Sequence, residues 1–269
     1  MPDTVQPVDT PGGRRPAAAQ RSHRPGLHHV EHVMGTVFSF DVRDRPTPAI
    51  ATALRDAVAW LHHVDRLFST YRPDSAISRL ARGATTLDQV PDLVEHVLDL
   101  CAEAETRTRG CFTTHPGGRL DPSGLVKGWA VEEASRILRA GGAVNTYVNG
   151  GGDLQLSGEA SPGTPWRVGI ADPHRPGRLL TTVTGRDLAI ATSGTTERGC
   201  HITDPRTGTP ATGILSATVT GPQLTWADVY ATAAIVLGPE THEWIAGIPG
   251  YNALTVPTSP GLHFTARCE

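Results

Sequence analysis

The chain has 269 residues, 38% of them hydrophobic, and a formal net charge of −3. That length suits one elaborate domain with a sizeable core, and the charge offers no basic stripe to neutralise a nucleic-acid backbone, so DNA and RNA are excluded as expected partners while small anionic ligands are not. Cys101, Cys111, Cys200 and Cys268 show no C-x-x-C spacing, which argues against a zinc knuckle or redox pair and for a reducing compartment.

Residues 1–27 are rich in Pro, Arg, Gly and Gln and have no apolar run. They are expected to be a disordered tail without a signal peptide or lipobox, so the expected location is cytoplasmic and residues 28–269 form the folded domain. No segment approaches the ~18 continuous apolar residues of a membrane helix, so membrane insertion is not expected.

Met34-Gly35 predicts a turn leading into an alternating strand over 36–42. Leu54, Val58, Leu61 and Val64 recur at helical spacing and predict a helix over 50–68, and a second helix opens near Pro91. A third helix over 126–140 is closed by Gly141-Gly142 and followed by a strand over 144–149. Short strands are expected at 166–170, 179–183, 188–192 and 214–220 as a meandering sheet, then a helix over 226–237 and a strand-rich end around 251–264. The expected fold is α+β: a single domain of mixed or antiparallel sheets with flanking helices and long functional loops.

Four polar signatures punctuate these elements. Asp228 and Thr232, four apart on a helix, lie on one face, where a carboxylate and a hydroxyl converge on a hard cation. Thr225-x-x-Asp228 equally fits a capping box, in which Asp228 only closes the helix start. Gly150-Gly151-Gly152-Asp153 follows a strand and allows close backbone approach to a ligand, with a plain tight turn as the alternative; it is neither a Rossmann nor a Walker loop. Lys127, at a predicted helix start, and Asp121, at a predicted strand end just before it, make a ligand rim or are solvated residues.

His201 and Arg206 flank Asp204-Pro205 in one loop, where an imidazole suits proton transfer near neutrality and Arg206 alternatively ties the turn to a carboxylate. Cys200 beside them carries no sign of an activated thiol. His28, His29, His32, His62 and His63 lack the glutamate of a zinc-binding helix and are taken as incidental. Tyr71 either stacks a flat ring or packs as a buried loop residue.

Met34-Gly-Thr36, Phe68-Ser-Thr-Tyr71, Ser75-x-Ile-Ser-Arg79-Leu, Lys127-Gly128, Gly151-Gly-Asp153, Trp166-x-Val-Gly-Ile170 with Asp172-Pro, Thr192-Ser-Gly194, His201-Ile-x-Asp-Pro-Arg-Thr-Gly208-x-Pro and Ala227-Asp228-x-x-Ala-Thr232-Ala occur in the order seen in the ApbE family of FAD:protein FMN transferases. The chain resembles that family over roughly residues 30–255. The resemblance implies that Mg²⁺ and FAD bind together, that a Thr or Ser hydroxyl of an acceptor flavoprotein attacks the FMN-side phosphorus, and that AMP leaves. It implies Asp228, Thr232 and the Gly124 carbonyl as metal ligands. Met34, Tyr71, Asp121, Lys127, His201 and Thr203 match FAD-contacting positions. His201 and Asp153 are the two candidates for the base.

The chain departs from the family pattern between Gly110 and Asp121, a shortened segment without the family's aspartate, and Ser123 stands where a glycine is usual. The FAD contacts implied for Phe112, Thr113 and Thr114 and the closure of the pocket depend on that segment. The tail without an export signal implies acceptors modified inside the cell. An FAD pyrophosphatase using water and an FAD-binding protein without turnover are the alternatives; the Asp228/Thr232 pair speaks against the second.

Overall fold

The computed structural model describes residues 26–194, 202–259 and 264–265. Two strands, β1 (Leu27–Val33) and β2 (Thr36–Val42), pair antiparallel from Leu27↔Val42 to Val33↔Thr36. The Met34-Gly35 link has positive φ at both residues, 53° and 69°, as a two-residue hairpin turn following the strand twist demands. β1 lies within a stretch expected to hold only incidental histidines, and Leu27, assigned to the tail, is its first residue. The polar Leu27-His-His-Val-Glu-His-Val sequence hides a strand whose odd-numbered residues turn inward while its even-numbered ones face solvent.

Helix α1 (Pro48–Phe68) starts where Thr47 accepts the Ile50 N–H at 3.2 Å and Pro48 occupies the first turn, both favourable at a helix start. Ile50, Ala53, Ala57, Leu61, Val64 and Phe68 form its buried stripe. A short α2 (Ala76–Ala81), unexpected from sequence, is capped by the Ser75 hydroxyl. Then come α3 (Asp92–Arg107) and α4 (Ser123–Ala140), the latter starting three residues before its expected position.

The strands β3 (Thr146–Gly150), β4 (Asp153–Ser157), β5 (Trp166–Ala171), β6 (Leu179–Gly185) and β7 (Leu188–Gly194) follow, then the two-residue β8 (Thr203–Asp204) and β9 (Thr209–Pro210), and β10 (Ile214–Gly221). Helix α5 (Leu224–Leu237), the short α6 (Thr241–Ala246), β11 (Asn252–Pro257) and β12 (Phe264–Thr265) complete the described chain. The main sheet is antiparallel, in the order β1-β2-β3-β4-β7-β10-β11-β12.

The meandering sheet expected of the strands between 166 and 220 is corrected in one place: β7 pairs with β4 and β10, and β5–β6 leaves to form its own two-stranded sheet. The reason is one-sided burial. Trp166 and Ile170 are buried on one side of the hairpin, while most of β6 is exposed or half-exposed. That apolar side covers Leu154, Leu156 and Ile190 on the main sheet, and Trp166 Nε1 donates to the Ser157 carbonyl at 2.9 Å. The opposite face of the sheet is covered by helices. Among them α5 is apolar almost all round and packs between α4 and strands β7 and β10, as a helix in the middle of a core must.

Trp166→Ala removes the anchor of the β5–β6 hairpin and is expected to destabilise the protein by about 3–5 kcal/mol. Urea unfolding checks this, and a loss under 1 kcal/mol would show that the hairpin does not depend on that side chain.

Candidate active site

A cleft of about 860 Å³ opens at one end of the main sheet, where the Met34–Gly35 turn, the Gly151–Gly152 turn and the first turn of α4 converge. Its walls differ in chemistry. Leu154, Ile190 and the hairpin residues Val168 and Ile170 are apolar, whereas Lys127, Ser193, Asp228 and Thr232 are polar.

Asp228 is 4% exposed. One of its oxygens, Oδ2, accepts the Gly128 backbone N–H at 3.1 Å and lies 3.7 Å from Lys127 Nζ. Burial pushes its pKa up to about 7; Lys127 acts against that shift and the nearby Asp153 adds to it. The close approach of α4 and α5 that makes this contact requires Gly128, since a Cβ there would stand 2.8 Å from Asp228 Cβ and 2.9 Å from the Leu224 carbonyl oxygen. One turn along α5, the Thr232 hydroxyl lies 3.1 Å from Ser193 Oγ.

The capping-box alternative for Asp228 is settled by position. Helix α5 begins at Leu224, so Asp228 is inside the helix with its carboxylate against α4.

Lys127 lies in the second turn of α4, a correction to its expected place at the helix start. Its ammonium contacts the carboxylate of Asp153. Asp153 is 1% exposed, accepts the Thr192 N–H at 3.0 Å and does not line the cleft. It therefore holds Lys127 from behind. Asp121 also sits differently from the strand end expected: it is in a loop, where its Oδ1 accepts the Ser123 N–H at 3.0 Å just before α4. Both Asp121 and Gly124 line the cleft. The α4 N-terminus thus faces it, a placement that favours a bound anion.

Met34, held at positive φ, and Tyr71 line the rim; Tyr71 is 95% exposed, which removes the buried alternative. Phe112 and Thr113 line the cleft, whereas Thr114 does not. The Thr114 N–H and hydroxyl both donate to Glu105 Oε1 at 2.8 Å, and the Thr113 hydroxyl donates to the same oxygen at 3.2 Å. Sequence reasoning missed Glu105, whose link to residues eight and nine positions later has no periodic signature. It also missed Ser193, although the Thr192-Ser193-Gly194 motif contains it.

Thr203 lines the cleft; His201 and Cys200 lie outside the described residues. Arg206 bonds Asp204 of its own turn through Nε at 3.0 Å and Nη2 at 2.9 Å, so it closes that loop. His29 and His62 share the two oxygens of Glu31 at 3.0 and 3.2 Å. Among the described residues no three His, Cys, Asp or Glu side chains are grouped to hold a metal.

The model of the ApbE family matches residues 34–115 and 113–255. This chain belongs to the ApbE family. A relative named FAD:protein FMN transferase in Rhodobacter capsulatus is 30% identical over 214 residues, covering 77% of this chain and 38% of that protein. Another of that name, from Vibrio cholerae, is 28% identical over 274 residues, covering 80% of this chain and 82% of the relative. Among solved structures, an ApbE protein from Thermotoga maritima superposes with a TM-score of 0.78 at 21% identity, covering 90% of this chain and 97% of that one. The flavin transferase ApbE from Vibrio cholerae gives 0.74 at 23% identity with the same coverage. These likenesses establish an ApbE fold. Among the described residues no helix is long and apolar enough to cross a membrane.

The raised pKa of Asp228 has a signed consequence for the stability of the fold. Between the unfolded value of 3.8 and about 7 the folded state binds the extra proton, so stability falls as pH rises through that window and levels off above it. Replacing Asp228 with Asn removes this slope. Urea unfolding at intervals from pH 4 to 8 in chelator should show the stability of wild type relative to D228N declining by on the order of a few kcal/mol; a pH-independent difference would contradict the assignment.

Proposed function

We propose that this chain transfers the FMN moiety of FAD to a Thr or Ser hydroxyl of an acceptor flavoprotein, with Mg²⁺ as cofactor and AMP as the second product. The observation that carries this reading is Asp228, a carboxylate withdrawn from water at the polar wall of the cleft, beside Lys127 and with the Thr232 hydroxyl one turn away. The relatives named FAD:protein FMN transferase support it.

The residues present fit a hard divalent cation. A buried carboxylate whose ionisation is opposed by burial is in want of a counter-charge, and Asp228, Thr232 and the Gly124 carbonyl, which line the same cleft, would supply the oxygen donors that Mg²⁺ accepts together with water. When bound, Mg²⁺ draws charge from the pyrophosphate oxygens.

The remaining chemistry belongs to the protein. Lys127, fixed from behind by Asp153, presents a cation to the anionic pyrophosphate, and the α4 N-terminus adds its dipole. The glycine turn at 151–152, with both residues at positive φ, brings backbone near the ligand without side chains in the way. The hydrophobic wall of Leu154, Val168, Ile170 and Ile190 gives apolar surface for flat ring systems and excludes water. The acceptor oxygen forms a bond to the FMN-side phosphorus, the bond from that phosphorus to the bridging oxygen breaks, and the bridging oxygen leaves on AMP. The acceptor proton passes to a base. We assign that role to His201, whose chain neighbours Ile202 and Thr203 line the cleft, because Asp153 is already committed to Lys127 and lies behind it.

Incubation with FAD, Mg²⁺ and an acceptor flavoprotein should release one AMP per FMN attached. In that assay Asp228→Ala is expected to lower transfer by about 10²–10³-fold or more, and full activity in the variant would refute the site. For Lys127→Ala, loss of a charge-assisted contact of roughly 1.5–3 kcal/mol predicts FAD affinity weakened by about tenfold or more. Unchanged FAD titration would remove that role.

A further inference from the structure

We infer that Glu132 and Gln155 are positioning residues for the metal-binding pair: they fix where α5 starts, and so where Asp228 and Thr232 stand against α4 and β4. This rests on the proposed reading of Asp228 and Thr232 as Mg²⁺ ligands.

The first turn of a helix leaves backbone N–H groups without partners inside the helix. The residue before α5, Gln223, makes no side-chain cap bond. The partners come from other elements. Leu224 N–H donates to Gln155 Oε1 at 3.1 Å, and Thr225 donates to Glu132 Oε2 through its N–H at 2.9 Å and its hydroxyl at 2.6 Å. A carboxylate at this helix end also complements the positive end of the α5 dipole.

The two pins come from the elements that carry the rest of the site. Glu132 is on α4, four residues after Gly128 and five after Lys127; Gln155 is on β4, two residues after Asp153 and therefore on the same face of that strand. The body of α5 is almost entirely apolar and buried, and apolar contact is non-directional. Such packing holds the helix in the core but fixes its rotation and axial slide weakly. A slip by one residue moves a side chain about 1.5 Å along the axis and turns it by about 100°, enough to take Asp228 away from Gly128 and Lys127. The directional bonds at Leu224 and Thr225 resist that slip four and three residues before Asp228.

The test measures the Mg²⁺ concentration giving half of the Mg²⁺-dependent rise in melting temperature with FAD present, alongside KM for FAD. Loss of groups that orient a metal ligand typically weakens metal affinity about 10–100-fold. Glu132→Ala and Gln155→Leu are expected to raise the half-effect concentration by that factor with KM for FAD changed less than about threefold. Glu132→Gln, which keeps a carbonyl oxygen as acceptor for both Thr225 groups, should stay within about threefold of wild type, and Thr225→Val, which folds with its N–H bond intact, should fall between. Equal Mg²⁺ responses in wild type and the Ala and Leu variants, with only a lower melting temperature, would overturn the inference while leaving the site standing. A wild-type Mg²⁺ response retained in Asp228→Ala, or none in wild type, would overturn the metal reading and the inference with it.

Discussion

The structure turns on one constraint: a carboxylate must be held, nearly dry, between two helices that touch. Asp228 reaches that place because Gly128 has no Cβ, and α5 can lie close enough for the Gly128 N–H to bond the carboxylate directly. Burial alone would make ionised Asp228 costly. Lys127 offsets part of that cost, while the second carboxylate, Asp153, keeps Lys127 from acting as the exclusive partner of Asp228. The result is a site with two acids and one fixed base, an arrangement that accommodates a further positive charge.

Much of the architecture was legible in the chain because it follows from periodicity. The buried stripes of α1, α3 and α4 recur at helical spacing, and β5, β6, β7 and β10 are separated by turn residues, whereas β4, β8 and β9 were not expected. What was not legible depended on pairing at a distance. That β4 joins β7, with β5–β6 folded over the sheet, follows from Trp166 seeking one apolar face, and no local pattern distinguishes this from a simple meander. β1 was hidden by its histidines, whose apolar and polar sides separate only once β2 fixes the register.

The site shows the same division. Asp228 and Thr232 announced themselves by a spacing of four, yet the same sequence also fitted a capping box, an alternative that only the position of the α5 start at Leu224 removes. Lys127 was visible as a cation near a helix start, but its partner Asp153 is 26 positions further on, and a single sequence carries no signal for such a pair. Glu105 is hidden for the same reason. By bonding Thr113 and Thr114 it gives the short 110–115 segment a fixed form, so Phe112 and Thr113 stay in the cleft wall while Thr114 turns inward.

These observations separate two kinds of specification within one domain. The hydrophobic core selects which elements pack, and it tolerates small displacements because apolar contact has no preferred angle. The groups proposed to hold ligand need finer control, since misplacement by about 1 Å can cost a hundredfold in rate. This fold obtains that control from a few polar bonds that cross between elements: Gly128 to Asp228, Asp153 to Thr192 and Ser193 to Thr232. They join α4 to α5, β4 to β7 and β7 to α5, and the Lys127–Asp153 contact links β4 back to α4, so together they close a ring around the polar end of the cleft. A side chain can then be exchanged within the apolar core with a loss of stability alone, whereas a change in the ring alters the geometry presented to a ligand even when the fold persists.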